Sequence, residues 1–147
     1  MNIYPAWWDV TITVYNKYVD PTNHKVSWYK HVLSNCFWKY VGNQVTVGAT
    51  NIETDNTICR VPVNSRYREK SIWDNLNSTN KATLFTFGTG DIIIKGRVND
   101  TIDEYTSGKR SSDILAKYKV SGCFLVERCA DNTGGHRGNE HYYVRGV

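Results

Sequence analysis

Residues 10–15 read Val-Thr-Ile-Thr-Val-Tyr, a stretch in which apolar and polar side chains alternate. Successive side chains of a β-strand point to opposite faces, so Val10, Ile12 and Val14 share one face and the threonines share the other. The stretch therefore predicts a strand with one face against a core, and it places the protein in a β class.

Similar short runs recur through the first sixty residues, and Asn, Asp, Pro and Gly residues that favour turns separate them. We predict five strands there, at 10–15, 25–33, 36–40, 44–47 and 57–61. The first two form a long antiparallel hairpin. Residues 41–43 are predicted as a turn, and Pro62 ends the fifth strand because proline has no amide hydrogen to pair with a neighbour. Strands at this spacing are typical of a small barrel or sandwich.

The rest of the chain adds strands and short helices. Residues 92–96 form an apolar run between glycines and are predicted as the most buried strand, and two more strands are expected at 123–129 and 141–145. An amphipathic helix is predicted from Ser111, with Gly122 beyond its end. A helical turn is expected at 100–105. We therefore expect a single mainly β domain over 1–147, a small antiparallel barrel or sandwich with one or two short helices.

Residues 64–83 are polar and charged, and they are predicted as a long surface loop with one helical turn near 69–76. Long connections in compact domains are usually functional. Ten tyrosines and five tryptophans add amphipathic rings that suit both cores and protein interfaces. The sequence shows no signal peptide or membrane span, so we expect a protein made and kept in a cytoplasm-like compartment.

The residues with reactive side chains do not form a recognisable catalytic or metal-binding pattern. The four cysteines, Cys36, Cys59, Cys123 and Cys129, are widely spaced and are interpreted as small buried apolar residues. His136 and His141 do not have a metal-ligand spacing. The glycines at 88–90 precede a strand rather than a helix, which does not suit a phosphate loop. We expect no catalytic residue, no metal and no cofactor, and hence no enzyme.

The chain carries a formal net charge of +4, and residues 108–147 contain seven Lys or Arg against four acidic residues. These charges are either ordinary solvated side chains or a surface that meets DNA or an acidic neighbour. The candidate basic surface consists of Lys109, Arg110, Lys117, Lys119, Arg137 and Arg145.

Several segments carry a resemblance to a known class of proteins. Residues 11–18 (Thr-Ile-Thr-Val-Tyr-Asn-Lys-Tyr), 28–30 and 32–38 resemble the start of small structural proteins of tailed bacteriophages, the head-tail connector or head-closure (stopper) type. Residues 90–96, 109–113 and 141–146 are similar to later motifs of an uncharacterised phage group of this type. The resemblance covers most of the chain and is weak over 64–87.

This resemblance implies a β-barrel subunit of the virion neck, assembled in the host cytoplasm. Such a subunit forms a homo-oligomeric ring beneath the portal, closes the DNA-filled capsid and docks the tail. Its implied partners are a portal or adaptor protein, a tail or tail-terminator protein and, non-specifically, the packaged DNA, with no membrane. The loop 64–83 is the candidate ring-interface or lumen loop, with Arg66, Arg68, Lys70, Trp73 and Lys81 as its candidate residues.

Other functions compete with this interpretation. A tail terminator or another tail-proximal ring protein would share the barrel, the charge and the loop. A monomeric β-barrel that binds carbohydrate or nucleic acid would instead use its tryptophans as stacking platforms, and those are Trp7, Trp8, Trp28, Trp38 and Trp73. A hydrolase that uses the region 136–141 is the least favoured alternative.

Overall fold

Six strands and three short helices make up the regular structure of the computed structural model, which describes residues 4–48, 50–134 and 140–147. The strands are β1 (Val10–Val19), β2 (Val26–Val47), β3 (Thr50–Pro62), β4 (Ile92–Lys95), β5 (Cys123–Asn132) and β6 (His141–Gly146). The helices are α1 (Lys70–Asp74), α2 (Ser78–Thr83) and α3 (Ser111–Tyr118).

The strands close into a barrel in the order β1-β2-β3-β6-β5-β4, and every neighbouring pair is antiparallel. β1 sits between β2 and β4, so that Val14 pairs with His31 on one side and with Ile93 on the other. The prediction of a mainly β antiparallel fold is confirmed, and of the two predicted architectures the barrel is the one observed.

The barrel interior contains the face that the alternating pattern predicted. Ile12 and Val14 are fully buried there, and Val10 packs against them. Other strands contribute similar side chains, such as Phe124 from β5 and Val144 from β6. The predicted assignment of the apolar face of the first strand is therefore confirmed.

A second apolar cluster lies on the outside of β1 and β4, beneath the segment 97–118. Tyr15, Ile92 and Ile94 pack there against Ile114 of α3. Thr13 of the face predicted to be polar is buried too, and its hydroxyl donates to the carbonyl oxygen of Gly96 at 2.7 Å. Because β4 is covered on both faces, Ile92, Ile93 and Ile94 are fully buried, as predicted for the strand at 92–96, whereas Lys95 within that run is exposed.

The predicted turn at 41–43 is wrong. β2 is one continuous strand of 22 residues that, apart from Lys25, includes the three predicted strands 25–33, 36–40 and 44–47. It leaves β1 near Asn35, whose φ of 59° bends the strand, and from Phe37 onward it pairs with β3. The turn lies at Gly48 instead, where a φ of 62° suits glycine.

The helices agree with the sequence in part. α3 matches the predicted helix, and α1 lies inside the predicted helical turn at 69–76. α2 was not predicted, so the described chain has one helix more than expected. Residues 100–105 are not helical, because Asp103 accepts hydrogen bonds from the Tyr105 amide and the Thr106 hydroxyl and holds a turn. None of the described helices has the length and apolar content that a membrane crossing requires.

The cysteines divide into two groups. Cys36 and Cys59 are buried in the barrel interior, as expected. Cys123 is half-buried, and Cys129 is exposed, so the expectation of a buried side chain is wrong for Cys129. Cys129 pairs with the buried Val144 and therefore lies on the inward side of β5, where its thiol is 3.4 Å from the carbonyl oxygen of Phe87, although the residue as a whole is exposed.

Candidate functional site

The predicted surface loop is packed against the barrel. Phe85 and Phe87 belong to the interior cluster, and Tyr67 stacks on Tyr142 with ring centroids 4.0 Å apart. We call residues 64–87 the plug, because its aromatic side chains cover one end of the barrel interior. Most residues of the predicted loop 64–83 are exposed, and Tyr67, together with Phe85 and Phe87 just beyond the loop, holds the segment on the barrel.

Trp73 anchors the plug. Its side chain is 0% exposed, and its indole nitrogen donates to the carbonyl oxygen of Leu84 at 2.7 Å. Tyr18 and Tyr29 meet it edge-on, with centroid distances of 6.3 and 5.6 Å. An indole buried in this way anchors the plug within the folded subunit and is not available for contact with a neighbouring subunit of an oligomeric ring.

Lys81 is also buried, with 3% of its surface exposed. Its ammonium donates to the carbonyl oxygens of Asp74 and Leu76, and it lies 3.9 Å from the centroid of the Tyr18 ring. Burial lowers the pKa of Lys81. The three contacts compensate the charge inside the plug, so this candidate residue also serves the fold.

The other three candidate residues of the loop remain accessible to different degrees. Arg66 is exposed, whereas the half-buried Arg68 donates to the backbone oxygens of Ser65 and Tyr67. Lys70 donates to the backbone oxygen of Lys17 and pairs with Asp74. The structure therefore leaves Arg66 as the most accessible cation of the predicted site.

The predicted basic surface does not form one patch. Lys109 and Arg110 are exposed before α3, and Lys117 pairs with Asp100 at 2.9 Å. Lys119 is exposed just after α3, whereas Arg145 lies on β6 in the barrel wall. Arg137 lies outside the described residues.

A different group of cations meets on the outer wall of the barrel. Lys39 of β2 pairs with Ile58 of β3, Ile58 pairs with Arg145 of β6, and Arg145 pairs with Arg128 of β5. Neighbouring strands are about 4.8 Å apart, so this row crosses roughly 14 Å of surface. Sequence reasoning placed Arg145 in a basic surface but did not group it with Lys39 and Arg128, because the three cations come from different strands. The available sequence signal was a basic residue within the alternating pattern of each strand.

Arg60 extends this wall by one row. Its guanidinium lies 5.0 Å from the Phe37 ring and 6.0 Å from the Tyr143 ring. Stacked aromatic rings orient a guanidinium while its N–H groups stay free to meet an anion. We call Lys39, Arg60, Arg128 and Arg145 the basic sheet face.

A cleft of about 580 Å³ adjoins the basic sheet face at Arg60. Trp8 and His141 line it, with their rings 6.0 Å apart and nearly perpendicular. His141 is one of the two histidines considered above as metal ligands. The other, His136, lies outside the described residues. Within those residues, no group of three His, Cys, Asp or Glu side chains has an arrangement that could hold a metal ion.

The tryptophans do not form a row of stacking platforms. Trp7 is 68% exposed, whereas Trp8 and Trp73 are buried. Trp28 and Trp38 are half-buried, and Trp38 packs on Phe124 with centroids 5.4 Å apart. Most of these rings therefore stabilise the subunit and do not present a face to a sugar or a base.

The ends of β2 and β3 extend beyond the barrel as a two-stranded ribbon. Seven residue pairs, from Val41–Asn56 to Val47–Thr50, join the two strands. β6 pairs with β3 only from Thr57 onward, and in the described chain no third strand pairs with 41–47 or 50–56. We call residues 41–56 the arm. At about 3.3 Å per residue it reaches roughly 20 Å past the barrel wall.

An apolar groove lies at the base of the arm, between the barrel wall and the end of α3. Its volume is about 710 Å³. We call this site the groove, and the side chains that define it are Trp38, Tyr40, Leu115, Lys119, Val120 and Val147. The arm and the groove are the two features of the structure that are best suited to contacts with another protein.

Comparisons with known proteins place the chain in a family. It matches no curated protein and no solved structure at a significant level. Residues 8–147 match the model of DUF6751, a family of unknown function, and this match includes all six strands and all three helices. The chain therefore belongs to the DUF6751 family.

Proposed function

We propose that this protein is a non-enzymatic structural component of the neck of a tailed phage, a ring-forming head-tail connector or stopper. The arm is the observation that carries the proposal. A two-stranded ribbon is at best marginally stable in water on its own, so a ribbon of seven pairs beyond the barrel is best explained by contact with a neighbour.

Ring assembly needs two different, complementary patches on each subunit, because every copy contacts one neighbour with each patch. The arm supplies one patch, and the exposed apolar side chains of the barrel supply the second. Val120 and Val147, for example, are large apolar residues that the isolated subunit leaves exposed. Exposed apolar side chains that cluster are a common mark of protein interfaces.

The basic sheet face supports the further proposal that the assembled ring contacts packaged DNA. Its four cations lie on one wall of the barrel, on neighbouring strands. Lys and Arg side chains at such spacing neutralise phosphates without reading sequence. This is the property expected of a surface past which a genome moves.

The direct test is the oligomeric state of the full chain, measured by light scattering coupled to size exclusion, alone and with the purified portal of the same phage. We expect a ring-sized assembly and a complex with the portal. Electron microscopy of purified virions, with an antibody against the chain, should label the neck. A chain that stays monomeric under all these conditions and is missing from virions would contradict the proposal.

A second candidate function is a monomeric nucleic-acid-binding module, which the basic sheet face favours. It predicts DNA binding by a monomer, with the arm dispensable. Replacing residues 43–54 by a two-residue Asn-Gly turn separates the two functions. Loss of assembly with DNA binding retained favours the neck protein, whereas a wild-type monomer whose DNA affinity survives the replacement favours the module.

A further inference from the structure

The arm has two unpaired edges. Over 41–47 and 50–56 each strand pairs with its partner on one side, and in the described chain no other strand covers the opposite side. Unpaired strand edges expose backbone N–H and C=O groups that readily pair with another chain. We therefore expect the arm to pair with or pack against another chain, and the site that binds it must be identified.

The groove has the surface properties of a receptor. Val120 is 100% exposed and Tyr40 is 62% exposed, although both are large side chains beside the half-buried Trp38. Leu115 and Val147 complete an apolar lining. A cleft of this size lined by such residues gains stability when another chain removes it from water.

The charges of the arm and the groove are complementary. The sequence of the arm contains Glu53 and Asp55 and has no lysine or arginine. Lys119 lines the groove, and Lys95 lies against Gly122 at its edge. No acidic residue lines the groove in the described part of the chain. Such complementarity favours the arm as the occupant of the groove and disfavours a basic partner.

We propose that the arm of one copy lies in the groove of a neighbouring copy. This inference rests on the proposed ring function and names the contact that builds the ring. Trp38, Tyr40 and Thr57 line the groove at the base of the same two strands that form the arm. Each copy therefore gives an arm and receives one, and this heterologous contact can repeat around an axis.

Site-specific cross-linking tests the contact directly. Val120→Cys places a thiol in the groove, and Thr50→Cys or Asn51→Cys places one near the tip of the arm. Cys129→Ser and Cys123→Ser remove the exposed native thiol and the half-buried native thiol that lines the groove from the background. With a short bismaleimide, the paired variants should give covalent dimers and a ladder of higher species on a denaturing gel. Each single cysteine should give at least tenfold less of the covalent product.

Charge reversal provides an independent readout of association. We expect Val120→Asp and Lys119→Glu each to raise the dissociation constant of the assembly about tenfold or more. Asp55→Lys combined with Lys119→Glu should recover part of that loss. Lys109→Glu changes an exposed lysine that does not line the groove and is the matched control, for which we expect less than a twofold change.

The outcomes separate this inference from the function on which it rests. The wild type could assemble normally while the paired cysteine variants give no cross-link and Val120→Asp and Lys119→Glu leave the dissociation constant unchanged. This result would overturn the arm-in-groove contact and leave the proposed ring intact. A wild type that is monomeric at every concentration overturns both. Circular dichroism of each variant should match the wild type, because Val120 and Lys119 are exposed.

Discussion

The side-chain amide of Asn16 donates a hydrogen bond of 2.9 Å to the carboxylate of Asp91, and both residues are fully buried. The same carboxylate accepts the backbone N–H groups of Lys17 at 2.9 Å and Gly88 at 2.8 Å. Asn16 also bonds the backbone of Thr86 with both ends of its amide. This cluster ties the end of the plug to β1, where the plug enters β4.

Removal of the Asp91 carboxylate should destabilise the protein strongly. Asp91→Ala removes the acceptor of the Lys17 and Gly88 N–H groups and one of the two acceptors of the Asn16 amide, and unsatisfied buried groups cost about 1–3 kcal/mol each. We therefore expect a loss of about 3 kcal/mol or more in the free energy of unfolding, measured by urea denaturation at pH 7. Asp9→Ala, at an exposed aspartate, is the control, for which a loss below about 0.5 kcal/mol is expected.

Two buried groups should make stability depend on pH in opposite directions. Burial raises the pKa of Asp91 from 3.8 to about 6, so the folded state binds this proton more tightly than the unfolded chain. The contribution of protonated Asp91 to the free energy of unfolding is then lost as the pH rises from about 4 to 6. Burial, aided by the positive charge of Arg66, lowers the pKa of His31 from 6.5 to about 4. Stability from His31 is lost as the pH falls across the same window.

The two contributions, each on the order of 2 to 3 kcal/mol, should largely cancel in the wild type between pH 4 and 6.5. Single variants reveal the two contributions separately. Relative to the wild type, His31→Gln should lose stability as the pH rises, whereas Asp91→Ala should gain stability. The measurement is the urea midpoint at half-unit pH steps. Parallel profiles for the two variants would show that one of the two groups does not titrate as described.

Trp73 should control how firmly the plug is held. Trp73→Phe removes the hydrogen bond to Leu84 and is expected to cost about 1–2 kcal/mol, and Trp73→Ala about 3–5 kcal/mol through the cavity it leaves. Trp7→Ala is the matched control, because that ring is largely exposed. Hydrogen exchange should quicken over residues 64–87 in Trp73→Ala. Equal exchange in both alanine variants would contradict the anchoring role.

Gly146 should tolerate no side chain. A Cβ at this position would lie 1.9 Å from the backbone oxygen of Leu125 and 2.5 Å from the Phe124 ring. β6 passes too close to β5 at this point for any other residue, so Gly146→Ala should cost several kcal/mol through a forced shift of the strands. Gly134→Ala has open space around its Cβ and serves as the control. Thermal unfolding that is unchanged in Gly146→Ala would contradict this close approach.

Part of the fold follows from local pattern alone. Alternation over 10–15 identifies the strand and its inward face, and the run 92–96 predicts a buried strand, because each of the two signals lies within a single strand. The arm escapes such reasoning. Gly42 and Asn43 are residues that turns favour, and the long partner strand that keeps them extended is invisible in a window of a few residues.

The site was less predictable than the fold. Trp73 stands among polar residues and reads as an exposed ring, because the tyrosines that bury it lie far away in the sequence, on β1 and β2. The basic sheet face is likewise formed by residues that lie far apart in the sequence. Arg60 and Arg145 become neighbours on one wall only through the β3–β6 pairing, which depends on barrel closure. Long-range pairing decides both cases, and residue spacing does not encode it.

The basic sheet face should bind DNA through phosphate neutralisation. Arg60→Glu combined with Arg145→Glu removes two positive charges from one wall and adds two negative ones, so we expect the affinity for a random-sequence duplex to fall at least tenfold at 100 mM salt. The slope of log K against log salt should become shallower by about two. Lys25→Glu with Lys109→Glu makes the same change in net charge at exposed positions elsewhere. Fluorescence anisotropy measures both, and equal losses in the two double variants would indicate an effect of net charge alone.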